Sequence, residues 1–77
     1  MKFRVYVSFK EGLLDPEAEA IKQTIKNMGS NSIQSLIKGK FFDIEVKDDK
    51  DYFNEIEKIS EDLLSNPFIE KFKIVKK

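Results

Sequence analysis

The chain opens MKFRVYVSFK, and in these ten residues Phe3, Val5, Val7 and Phe9 alternate with Arg4, Tyr6, Ser8 and Lys10. A two-residue period of this length belongs to a β-strand with one face on a core and the other open. Such a strand cannot stand alone. It needs neighbouring strands and an apolar layer over its inner face, so the rest of the sequence is read for both.

The covering layer is supplied by helical periods. Asp15 is placed to cap a helix through its side-chain oxygen, and Pro16 suits the first helical position because its missing N–H costs nothing there. Ala18, Ile21, Ile25 and Met28 then recur at three and four residues, and Gly29 stands where a left-handed C-terminal cap is needed. A second helix is expected after the acidic run Asp48, Asp49 and Asp51, since carboxylates are favoured at a helix N-terminus. Its stripe is Phe53, Ile56, Ile59 or Ser60, Leu63 and Leu64, and Ser65-Asn66-Pro67 ends it.

Between the helices, residues 32–47 read as a hairpin. Ile33 and Ile37 lie on one arm, Phe42, Ile44 and Val46 on the other, and Lys38-Gly39-Lys40 supplies the turn glycine. The last strand runs from Phe68 to Val75, with Phe68, Phe72 and Ile74 on one face. No linker or repeat interrupts this order, so residues 1–77 form one domain. The expected fold is α+β and ferredoxin-like: βαββαβ, with a four-stranded antiparallel sheet and two helices on one face. The uncovered face then carries Tyr6, Leu36, Phe41, Ile69 and Val75 beside Arg4, Asp43, Glu45, Lys71 and Lys73. Large apolar groups on a solvated face point to association, with Tyr6, Leu36 and Phe41 as self-association candidates.

Composition narrows the function. Among 77 residues there is no Cys and no His, which removes thiol nucleophiles, imidazole bases, thiolate zinc sites and disulfides. Gly12, Gly29 and Gly39 are too scattered for a phosphate-cradling loop. Fourteen basic and fourteen acidic residues leave a formal net charge of zero, which argues against a general nucleic-acid binder. No run approaches the roughly 20 apolar residues of a membrane span, so no membrane role and a cytoplasmic location are expected. A chain this small, lacking cross-links, is also expected to gain stability by associating.

The remaining candidates are sparse. The aspartates around Asp48 are explained by capping and solvation, and their spacing does not fit an EF-hand loop. Glu55, Glu57, Glu61 and Asp62 make the second helix acidic, while Lys71, Lys73, Lys76 and Lys77 make the C-terminus basic, a segregation able to steer docking. Lys38 and Lys40 flank the central glycine and can present two ammonium groups to a partner. Lys38-Gly39-Lys40-Phe41 lacks the aromatic run that base-stacking RNA-binding sheets use.

Three segments, VYVSFKEGLLDP, GKFFDIEV and LLSNPFIEKFKI, resemble the PurS family, the small subunits of bacterial and archaeal phosphoribosylformylglycinamidine synthase. Lys10, Gly12, Leu14, Asp15, Pro16, Gly39, Lys40, Leu63, Leu64, Asn66, Pro67, Ile69 and Glu70 fit that family's pattern nearly end to end. Departures are Glu17-Ala18 in place of Gln-Gly after Asp-Pro, Phe9 for Leu, and Ile37 where a basic residue is usual. The resemblance implies a subunit without chemistry of its own in de novo purine biosynthesis. A PurS dimer would join the PurL synthetase to the PurQ glutaminase and support ammonia passage between them. It also implies that the complex uses ATP, Mg and glutamine while this subunit binds no cofactor. Asp15, Pro16, Lys38, Gly39, Lys40, Asn66 and Pro67 are the expected partner-facing positions, because rigidly held loops are common recognition sites. A free-standing ferredoxin-like domain that binds a small metabolite is the alternative from another class, and an RNA-binding role is a third.

Overall fold

The computed structural model describes residues 1–48 and 50–77, so the expected role of Asp49 lies outside the described residues. The elements are β1 (Lys2–Phe9), α1 (Pro16–Asn27), β2 (Gly39–Glu45), α2 (Phe53–Ile59), a one-turn π-helix (Ser60–Leu64) that continues α2, and β3 (Glu70–Lys76). Among the described residues the sheet has three strands in the order β2-β1-β3, not the expected four. Both pairings are antiparallel. Val5 faces Phe42 on one side and Ile74 on the other, and Val7 faces Phe72. The alternation of β1 is obeyed: Phe3, Val5 and Val7 are buried while Tyr6 is exposed on the opposite face.

The core is small. Phe3, Val5 and Val7 meet Ile56 of α2, and Phe42, Ile44, Leu64, Phe72 and Ile74 pack around them. α2 and the π-helix thus cover the sheet through Ile56, Ser60 and Leu64, four residues apart, while Phe53, Ile59 and Leu63 are more exposed than their apolar character suggests. Ser60 sits fully buried where the helix presses on the strands. Its hydroxyl donates to the Ile56 carbonyl at 2.8 Å, and the Ser65 hydroxyl donates to the Ser60 carbonyl at 2.9 Å. The Ser65 N–H also reaches the Ser60 carbonyl, which widens the final turn to the π form. The helix stops at Ser65 as expected, but Phe68 lies exposed in the following turn and not in the last strand.

α1 departs most from expectation. Its ends are built as the sequence requires. Asp15 accepts from the Glu17 and Ala18 N–H groups, and Gly29, at φ +100°, lets the Gly29 and Ser30 N–H groups close on the Lys26 and Ile25 carbonyls. Yet among the described residues neither α1 nor the segment that follows contributes to the core cluster. Residues 31–38 form no strand. Ser30, Asn31, Ile33 and Gln34 instead run back along the Lys22 and Lys26 side of α1. Helix and return segment form an arm, and only α2 covers the sheet. The radius of gyration is 16.0 Å and the molecule measures 50 × 24 × 14 Å; a compact domain of this length has a radius of about 11–12 Å.

The base of the arm is tied to the sheet. The Lys38 ammonium lies 3.3 Å from Asp15 and 3.5 Å from Glu17. Burial pushes the Asp15 carboxyl up, but hydrogen bonds from the Ala18 N–H and Lys38 outweigh it and hold the group below the usual carboxylate range. Asp15 in turn raises Lys38. Gly39 is not a turn glycine. It is the first residue of β2, paired with Ser8, and a Cβ there would stand 2.6 Å from the Val7 carbonyl oxygen. The glycine is needed for close approach of two strands.

Two outcomes follow from this architecture. Ile56→Ala should lower unfolding free energy by about 3 kcal/mol, because it opens a cavity at the centre of a small core; urea unfolding followed by circular dichroism measures it. Asp15 titrates lower in the folded chain than in the unfolded one, where the value is about 3.9. The unfolded chain therefore binds more protons in that window and stability rises with pH across it. The contribution is present above the unfolded value and is lost as pH falls through the folded one. Thermal melts of Asp15→Asn across acidic pH should accordingly show a flatter dependence than the parent chain.

Candidate functional site

The segments that carry the sequence motifs meet at one end of the sheet. Phe9 pairs with Glu70 and Ser8 with Gly39, so the exit of β1 and the entries to β2 and β3 lie side by side. The Lys10 N–H donates to the Ile69 carbonyl at 2.8 Å, and Lys71 lies 3.6 Å from Glu11 across the same end. A hollow of about 250 Å³ opens there, between Phe9 and Leu13 on one side and Ala18, Leu36 and Lys38 on the other. Asp15, Lys38 and Gly39 are thus brought together where the arm leaves the sheet. Asn66 and Pro67 stand at the same end, on the turn into β3.

Several of these residues have structural work. Asn66 accepts from the Phe68 N–H through its side chain, and its own N–H donates to the Glu70 carboxylate at 2.7 Å. The Glu70 N–H in turn donates to the Asn66 carbonyl at 2.7 Å, and this exchange between residues 66 and 70 accounts for Asn and Glu at this spacing. Lys38, read from sequence as a free turn lysine, is engaged with two carboxylates. Lys40 is exposed, with its ammonium 5.7 Å from the Phe42 ring. Pro16 and Pro67 are exposed as well. The Asp15–Lys38 contact is not legible in the sequence, because residues 23 positions apart meet only through the course of the arm.

The open face has its own cluster. Tyr6 faces Phe41 across β1 and β2, with ring centroids 6.0 Å apart. Arg4 makes a two-pronged pair with Asp43, at 2.7 and 3.1 Å, and its guanidinium lies 4.1 Å from the Phe41 ring centroid. The Arg4 partnership holds the Asp43 carboxyl below its usual value and also lowers the Tyr6 phenol. Arg4 is therefore the hub of this patch, a role that strand alternation alone did not reveal. Val75, Lys73 and Lys71 extend the same face along β3. Leu36 and Ile69 do not belong to it: Leu36 lies half-buried in the hollow at the arm base, and Ile69 in the turn before β3.

These arrangements hold and present surfaces. Among the described residues no group of three or more acidic side chains could hold a metal ion, and no helix is long and apolar enough to cross a membrane.

The model of the PurS family, phosphoribosylformylglycinamidine (FGAM) synthase, matches residues 2–77. The chain is 34% identical over 73 residues to the PurS subunit of phosphoribosylformylglycinamidine synthase from Bacillus subtilis, covering 94% of this chain and 87% of that one. It is 37% identical over 73 residues to the PurS subunit of Archaeoglobus fulgidus, covering 92% and 91%. In fold it is similar to the crystal structure of B. subtilis PurS, with a TM-score of 0.86 at 33% identity over 96% of this chain and 94% of that one. A chain of the PurLQS structure from Thermotoga maritima has a TM-score of 0.78 at 24% identity, over 96% and 93%, a likeness of fold. With the motifs of all three segments in place and the match running from Lys2 to the last residue, this chain belongs to the PurS family of phosphoribosylformylglycinamidine synthase subunits.

Proposed function

We propose that the chain acts as the non-catalytic adaptor of phosphoribosylformylglycinamidine synthase, joining the PurL synthetase and PurQ glutaminase subunits in the cytoplasm and supporting ammonia transfer between them. The observation that carries this reading is the family match over residues 2–77, on a chain whose motif-bearing loops converge at one end of a rigid sheet. A fold shared with a chain of a PurLQS structure supports the choice of partners. ATP, Mg and glutamine are then used by the partner subunits, and the adaptor holds none of them. Asp15, Lys38 and Gly39 shape the partner-facing end, while Pro16, Lys40, Asn66 and Pro67 are offered on its surface.

Self-association is part of the reading. The accessible surface is 6112 Å² for a chain of 9.0 kDa, whereas a compact monomer of that mass exposes about 4,900 Å². Tyr6 and Phe41 on the open face form one self-association surface, and Leu36 at the arm base belongs to a second.

The test is reconstitution with the PurL and PurQ subunits of the same genome. The three should co-purify, and omission of this chain should abolish glutamine-dependent turnover while ammonia-dependent turnover continues. Lys40→Ala should leave the melting temperature within about 4 °C of the parent and weaken glutamine-dependent turnover when this subunit is limiting. Full turnover by that variant would remove Lys40 from the interface. Phe41→Glu should lower the oligomeric state seen by light scattering by at least one step, since a charge forced into a dry aromatic contact is strongly unfavourable.

A further inference from the structure

β3 forms one edge of the sheet, and its backbone shows which groups it leaves unused. The Lys77 N–H donates to the Lys2 carbonyl and the Lys10 N–H to the Ile69 carbonyl, both at 2.8 Å. Hydrogen-bonded pairs alternate in an antiparallel ladder, so Lys71, Lys73 and Val75 likewise turn their backbone groups towards β1, and Phe72, Ile74 and Lys76 turn theirs outward. Among the described residues no strand lies on that outer side.

The two faces beside this edge differ in chemistry. On the core side Phe72 and Ile74 are only half-buried, and a trough of about 490 Å³ runs from Ile74 and Lys76 to Phe53 and Met1, at the start of β1. On the open side Lys71, Lys73 and Lys77 stand exposed, each two or four residues from the next. Lys71 lies 3.6 Å from the exposed Glu11, and among the described residues Lys73 and Lys77 make no ion pair.

We propose that the outer edge of β3 takes up an extended segment of another protein as a further strand, a segment in which acidic residues alternate with apolar ones. Main-chain bonds to the outward groups would hold it, and the two-residue period of any strand would send its apolar side chains to the trough and its carboxylates to the lysines. Charge selects the occupant. A second copy's β3 would set lysine beside lysine, and lysine-bearing edges are guarded against their like. The acidic residues of a copy's β2, Asp43 and Glu45, already face Arg4 and Lys2 of their own chain. An acidic strand from a different protein meets neither obstacle. The trough lies at the opposite end of β1 from the motif-bearing loops, so this surface goes beyond the adaptor reading and stands apart from it.

The experiment uses the whole chain, isotope-labelled, with the blocked peptide acetyl-Glu-Val-Glu-Val-Glu-Val-Glu-amide as probe. The peptide should bind saturably and more weakly as salt is raised. Hydrogen exchange at the Phe72, Ile74 and Lys76 amides should slow by about tenfold or more, while the Lys71, Lys73 and Val75 amides, already bonded to β1, stay unchanged. The double variant Lys71→Glu and Lys73→Glu, at exposed positions, should keep the circular dichroism of the fold and weaken binding by about tenfold or more. Absence of binding overturns the proposal. So does binding that leaves the outward amides unprotected, which is charge attraction alone, or equal binding by the double variant or by a peptide with Lys in place of every Glu. A single-stranded oligonucleotide that binds more tightly than the peptide assigns the lysines to phosphate and overturns it. Outward amides whose protection rises with protein concentration in the absence of peptide assign the edge to a second copy and overturn it equally.

Discussion

Among the described residues β1 is the one strand with hydrogen-bonded neighbours on both sides, and its inner residues form most of the buried core. Val5 is fully buried between Phe42 and Ile74 and beneath Ile56. Because the core is so small, no other element compensates for a loss there. β2 and β3 are both edges, and α2 is anchored to them only through the side chains that touch β1 and its immediate partners. The position of every loop at the motif-bearing end follows from the register this strand imposes.

That dependence gives the adaptor reading its physical content. A subunit that performs no chemistry contributes by holding surfaces at fixed relative positions, and here a three-stranded sheet holds three loop segments together at one end. The open face adds a second surface, in which an arginine paired to an aspartate is stacked against an aromatic pair. Basic residues of β3 lie along that face, whereas α2 and the π-helix after it carry the exposed Glu55, Glu57 and Glu61. The sheet separates these two charges, so a neutral chain still presents different electrostatic faces to different neighbours.

Local rules were legible in the sequence and long-range ones were not. The alternation of β1, the Asp15-Pro16 start, the Gly29 stop and the end of α2 at Ser65 each depend on residues within a few positions of one another, and each is realised. The open-face placement of Tyr6, Phe41, Arg4 and Asp43 also followed from period-two counting. In residues 32–37 the spacing of Ile33 and Ile37 suggests a hairpin arm, and nothing local says that the segment lies along α1 instead. Gly39 reads as a turn glycine because turns are where glycine is most often needed; its actual cause, the Val7 carbonyl, is 32 residues away. For α1 the stripe Ala18, Ile21, Ile25 and Met28 is expected to cover the sheet, but only Ala18 is buried, with Ile21 and Met28 exposed; a stripe says that a helix has an apolar side and not where the helix lies.

The pairing of β1 with β3 also bears on how the chain folds. Phe3 faces Lys76, and the Lys77 N–H reaches the Lys2 carbonyl, so the central strand is completed by residues more than 70 positions away along the chain. Contacts of such high sequence separation close large loops and form slowly. Until they form, β1 is an apolar strand with one side vacant, open to pairing with other unfolded chains. Early folding, more than the finished structure, is where this small protein is most in need of protection.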